Sequence, residues 1–288
     1  MRFATIAAVV ALFVCERTSV AADPPKGVAY ETDIEYGKGA GEALLLDLAR
    51  PEASDGKSPA VVVIHGGGWR AGNRRQHTNM IFQLAQRGYV AATISYRFAP
   101  KHRFPAQVED AKCAVRFLRA NAKKYNIDEE RIGAVGASAG AHLAMMLGTM
   151  DESDGLEGEG GHADHSSKVQ AVVSFFGPTD LAGDDVPTPT IPILFEFIGG
   201  TKIKKPDAYR DASPLTYVNE GDAPMLLLQG TKDPLVPHSQ AFKMIDALTQ
   251  AKVGGRAEIL IGAGHGWGGK QLQESIAETF DFLNEHLK

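Results

Sequence analysis

Apolar and polar residues alternate along the chain in blocks of strand length and helix length. Ala60-Val61-Val62-Val63-Ile64 is an unbroken, mostly β-branched run, the pattern of a strand covered on both faces. Comparable runs occur at 43–48, 89–94, 131–135, 169–175, 225–228 and 257–261. Between them lie stretches with helical spacing. One covers Thr78 to Gln86 and is closed by Gly88; another is opened by Pro105 and carries Val108, Ala111, Val115 and Leu118 towards Lys124. His142 to Leu147, Ser239 to Gln250 and Gln271 to Leu287 complete the helical set. Strands alternating with helices predict an α/β fold, a mostly parallel sheet with helices on both faces.

Two segments break this rhythm. Residues 151–167 are acidic and glycine-rich and include His162 and His165. Carboxylates beside imidazoles raise the question of a metal, but no spacing matches a known ligand motif, so a solvated loop is expected and no metal. Residues 184–214 are rich in proline and aliphatic side chains. They precede the run at 225–228 and form either a small lid over the sheet edge or a packed connection.

Composition adds limits. The 288 residues carry a formal net charge of −5 and are 44% hydrophobic, which suits a globular chain with a large core. No half is strongly basic, so nucleic acid is not an expected partner. Residues 1–22 read as a separate unit: Arg2, then an apolar run from Phe3 to Val14, then Ser19-Val20-Ala21-Ala22. This is the layout of a cleavable signal peptide cut after Ala22, which leaves 23–288 as one catalytic domain, secreted or periplasmic. The apolar run is short for a bilayer span of about 20 residues, so no stable membrane insertion is expected after cleavage. Phe13 and Val14 before Cys15 are too bulky for a lipobox. Cys113 would then be the one remaining cysteine, and no internal disulfide can form.

The chemistry gathers where strands end. Gly136-Ala137-Ser138-Ala139-Gly140 fits G-x-S-x-G. The pattern alone is weak, but here a strand runs into it and a helix leaves it, the setting of a nucleophile elbow. Ser138 needs a base, because a serine hydroxyl is a poor nucleophile at neutral pH. His265, in a glycine-rich loop after the last strand, is the candidate. Asp233, in the loop after 225–228, is the candidate orienting carboxylate, and the order Ser, Asp, His is the one this elbow accompanies. His65-Gly66-Gly67-Gly68-Trp69 follows the strand 60–64. Its bare glycine N–H groups could face a developing oxyanion.

Together with Ser95-Tyr96-Arg97-Phe98-Ala99-Pro100 and Phe104-Pro105-Ala106-Gln107-Val108-Glu109-Asp110, these motifs make the chain resemble the α/β-hydrolase superfamily. The branches it resembles are the feruloyl/acetyl-xylan esterase-like (BD-FAE-like) and hormone-sensitive-lipase-like ones. The resemblance implies the α/β-hydrolase fold, with an eight-stranded sheet and a small insertion before the acid strand. It also implies an acyl-serine mechanism with Ser138, His265 and Asp233, and an oxyanion hole from the N–H groups of Gly67, Gly68 and Ala139. Tyr96, Arg97 and Asp110 match positions that look structural in such enzymes. Ala137 stands where many hormone-sensitive-lipase-like members have an acid, and few residues precede the first strand where that branch has a helical cap. Both departures favour the feruloyl/acetyl-xylan-like branch. Trp69 and Trp267 flank the expected site, either stacking on a sugar or aromatic acid or packing their loops.

The expected activity is serine carboxylic ester hydrolysis of short-chain acyl, acetyl or feruloyl esters, without a cofactor. The implied partner is a small-molecule or polysaccharide ester. Two readings compete. A serine peptidase of the prolyl-oligopeptidase type shares fold and residue order, though no propeller is evident. A non-catalytic binding protein would normally lack one of the three residues, and all three are present.

Overall fold

The computed structural model describes residues 23–288; the expected signal peptide lies outside the described residues. Eight strands form one sheet: β1 (Val28–Gly39), β2 (Glu42–Pro51), β3 (Ser58–Ile64), β4 (Val90–Ile94), β5 (Ile127–Ala137), β6 (Ala171–Phe175), β7 (Met225–Gly230) and β8 (Gly255–Leu260). Their order is β1-β2-β4-β3-β5-β6-β7-β8. β1 and β2 are antiparallel to each other, and β2 to β4; every later pairing is parallel. The hydrophobic pattern pointed to every strand except β1. That strand is a partly exposed edge with bulges and charged residues, so it carries no apolar run to read.

Eight α-helices lie among the described residues: α1 (Thr78–Gln86), α2 (Ala106–Ala120), α3 (Ala122–Tyr125), α4 (Ala139–Thr149), α5 (Ile191–Ile198), α6 (Pro206–Asp211), α7 (Ser239–Gln250) and, after the last strand, α8 (Gly269–Leu287). The long helix expected after Pro105 breaks at Asn121, and its continuation α3 ends at Asn126, which is left-handed at φ 57°. Asparagine tolerates that conformation better than most residues.

The sheet separates two apolar layers, and β3 shows how. Ala60, Val62 and Ile64 face a layer that includes α2 and α4, while Val61 and Val63 face one that includes α1 and α8. A period of two along a strand covered on both sides needs apolar residues at every position. The motif residues outside the site also have structural work. The Arg97 guanidinium donates to Asp110 at 2.9 Å and to Glu109 at 3.0 Å, and its backbone N–H donates to Asp110 at 2.8 Å. This clamps the loop after β4 to α2.

The two irregular segments are anchored. In the acidic loop, Glu157 accepts from Lys112 at 2.7 Å and from Arg116 at 2.5 Å, both side chains being buried. His162 Nε2 bonds the Tyr36 carbonyl at 3.2 Å. Residues 184–214 hold α5 and α6, with Leu194, Phe197, Ile198, Tyr209 and Ala212 buried in the core. No helix among the described residues is long and apolar enough to cross a membrane.

Candidate active site

The site lies along the carboxyl ends of β3, β5, β6, β7 and β8. β5 ends at Ala137 and α4 begins at Ala139, so Ser138 alone makes the turn, at φ 54° and ψ −120°. A non-glycine residue reaches this region only under constraint. The constraint is visible: the Ser138 N–H donates to Phe175 O at 2.8 Å, and the Ser138 carbonyl accepts from the His142 N–H at 3.0 Å. The flanking glycines are required by space. A Cβ on Gly136 would sit 2.2 Å from Gly140 O, and one on Gly140 would sit 2.1 Å from Ile64 O. The strand and helix thus approach so closely that Ser138 is lifted out of the sheet edge.

Two loops meet this serine. His265, after β8, places Nε2 2.8 Å from Ser138 Oγ and Nδ1 2.8 Å from Asp233 Oδ2. Asp233, after β7, is fully covered in its side chain. Its Oδ1 accepts the N–H groups of Leu235 at 2.8 Å and Val236 at 2.9 Å, and its Oδ2 also accepts from Gln229 Nε2 at 3.1 Å. An ionised carboxylate only accepts, so the proton belongs on Nδ1. Nε2 of the neutral ring is then free to accept the Ser138 hydroxyl proton. The structure therefore brings Ser138, His265 and Asp233 into one hydrogen-bonded line.

The glycine loop lies against the turn. A Cβ on Gly66 would meet Ala137 O at 2.8 Å and Ser138 Cβ at 3.2 Å. Gly67 (φ 118°) and Gly68 (φ 60°) take left-handed conformations, and the Gly67 carbonyl accepts from Arg70 and Ala71. The Ala139 N–H is the first of α4 and has no partner within the helix. Buried His65 braces this loop through its Nδ1 contact with Gly66 O at 2.7 Å, stacked 4.5 Å from Tyr96. Burial lowers its pKa from 6.5 to about 4, so the ring is neutral.

Both tryptophans pack against other aromatic rings. Trp69 is 2% exposed and stacks on Phe197 at 4.2 Å. Of the two roles open to it, packing is the one seen: the ring is consumed by the core. Its indole N–H donates to His142 Nδ1 at 3.2 Å, and His142 Nε2 donates to Ala212 O at 2.6 Å. This chain ties the glycine loop and α4 to the end of α6. Trp267 is half-buried; it donates to Ser275 at 3.0 Å and packs against Phe175 and Phe176. It anchors the His265 loop.

Sequence reasoning missed Phe176 and His142. Phe176 follows β6 at φ 45°, donates its N–H to Leu228 O at 2.8 Å, and sets its ring 4.7 Å from the His265 ring. A bulky aromatic residue before Gly177-Pro178 was the available signal. His142, a lone imidazole in an apolar helix one turn after Ser138, was the other.

Comparison with known proteins agrees with this architecture. The chain is 31% identical over 227 residues to Esterase LipQ of Mycobacterium tuberculosis, covering 77% of this chain and 53% of LipQ. It thus spans about half the length of that relative. Among solved structures, a truncated carbohydrate esterase from gut microbiota superposes with a TM-score of 0.79 at 26% identity, covering 91% of this chain and 98% of the other. A thermophilic esterase of the Planctomycetes species Thermogutta terrifontis, with propionate bound, gives 0.76 at 26% identity over 90% and 94%. The eight-stranded sheet is accordingly that of an α/β hydrolase, the fold expected from the motifs. The BD-FAE family model matches residues 46–248, and the chain therefore belongs to the BD-FAE family.

Proposed function

We propose that this chain is a carboxylesterase working through an acyl-serine, with Ser138 as nucleophile, His265 as base and Asp233 as its orienting acid. The observation that carries this reading is the continuous line from Asp233 through His265 to Ser138, with both contacts at 2.8 Å. Ser138 Oγ bonds the ester carbonyl carbon as its proton passes to His265 Nε2. The imidazolium faces Asp233 and then donates that proton to the departing alcohol. Water repeats the sequence in reverse to release the acid and restore Ser138. The N–H groups of Gly67, Gly68 and Ala139 receive the oxyanion, and such donors are each worth about 3 kcal/mol in the transition state.

Short-chain acyl, acetyl or feruloyl esters, including those on polysaccharide, are the proposed substrates. The likeness to an esterase holding propionate and to a carbohydrate esterase supports this range. A secreted or periplasmic location is proposed from the leader pattern of residues 1–22. The deciding experiment is turnover of p-nitrophenyl acetate together with fluorophosphonate labelling. Wild type is expected to do both and Ser138→Ala neither. A wild-type chain that is neither labelled nor active on any short ester overturns the reading.

A further inference from the structure

β3 and β7 lie on opposite sides of β5 and β6 in the sheet, so the glycine loop after β3 and the Asp233 loop after β7 flank Ser138. α5 is fastened to both. At its start, Thr190 Oγ1 donates to Leu235 O at 2.7 Å, two residues after Asp233. Along its length, Glu196 pairs with Arg70 at 2.9 Å, and Phe197 stacks on Trp69 at 4.2 Å. A helix held to both flanking loops borders the edge where Ser138 emerges.

The helix side chains divide sharply. Leu194, Phe197 and Ile198 are buried, while Ile191 and Phe195, one turn apart, are 50% and 48% exposed. Ile193 is half-buried and reaches the glycine loop: a Cβ added to Gly68 would come 2.9 Å from Ile193 Cγ2. A branched aliphatic side chain therefore abuts the Gly68 backbone, and the exposed residues beside it are also apolar. Exposed apolar groups continuous with a reactive edge mark a surface that binds.

We propose that α5 is the specificity wall of the site, with Ile193 as the determining residue, and that it takes an apolar group joined directly to the scissile ester. This rests on the reading of Ser138 as an ester-hydrolase nucleophile. The apolar group belongs to either the acyl or the alcohol side, and two substrate series separate them. One varies the acyl chain from acetyl to hexanoyl with p-nitrophenol as the constant leaving group. The other varies the alcohol from methyl to hexyl with acetyl held constant.

The readout is the ratio of kcat/KM for the long substrate over the short one. Ile193→Ala is expected to lower this ratio about tenfold in one series, the scale on which apolar pockets discriminate small hydrocarbon differences. Ile193→Val should lower it less. Phe195→Ser supplies a second reading on an exposed position that does not hold the core together. Ratios unchanged in both series, in variants that are labelled by fluorophosphonate, overturn the wall and leave the hydrolase reading intact. A wild type that neither labels nor turns over overturns both.

Discussion

The ring of Phe176 lies 4.7 Å from that of His265, at an interplanar angle of 62°. The loop that carries His265 contains Gly262, Gly264, Gly266, Gly268 and Gly269, so its backbone has little stiffness of its own. Phe176 supplies part of the stiffness from the end of β6, two strands away. The carbonyl before it accepts the Ser138 N–H, and its own N–H donates to Leu228 on β7. One dipeptide thus bears on Ser138, on β7 and on His265.

Truncation to Phe176→Ala is expected to lower kcat by about 10- to 100-fold through misplacement of the imidazole, with little change in KM. Phe176→Tyr should restore most of the rate. Steady-state kinetics on p-nitrophenyl acetate checks this. A change confined to KM would show that Phe176 acts on substrate binding and not on His265.

Ser138 holds φ 54°, a conformation that costs on the order of 1–3 kcal/mol for a side chain with a Cβ. Glycine escapes that cost but gains freedom when unfolded. Ser138→Gly should therefore be more stable than Ser138→Ala by about 1 kcal/mol, a rise in Tm of about 2–4 °C, with both variants inactive. Thermal unfolding of the pair is the measurement. Equal melting temperatures would show that the turn stores no strain.

His65 and His142 are fully buried, and burial lowers each pKa from 6.5 to about 4. Between these values the unfolded chain binds protons that the folded chain refuses. Stability is therefore at its full value above pH 6.5, is lost as pH falls towards 4, and levels off below. Each histidine contributes at most on the order of 3 kcal/mol to this loss. Urea unfolding at pH 7, 5.5 and 4.5 should show the decline, and His142→Gln should flatten it. An identical slope in wild type and variant would remove His142 as a cause.

Much of this site was legible along the chain because its parts have local signatures. Gly136 and Gly140 announce a turn too tight for side chains. The glycines at 66–68 announce bare backbone, and Asp233 and His265 each follow an apolar run of strand length, the first a buried strand and the second the edge strand β8. Strand identity follows from periodicity, which is a local property.

Other features had no local signature. Trp69 beside the glycine loop looked available to a substrate, and only packing shows it stacked on Phe197 and bonded to His142. Phe176 is an ordinary aromatic until its positive φ and its distance to His265 are known. The course of α5 from Leu235 to Arg70 depends on contacts between residues 45 and 126 positions apart. The sequence by itself determined the alternation of strands and helices and pointed to Ser138, Asp233 and His265, since spacing and residue chemistry encode them. The tertiary structure alone decided which aromatic residues are spent on the core, which one braces His265, and which helix borders Ser138. Those depend on contacts between distant segments, which no local pattern carries.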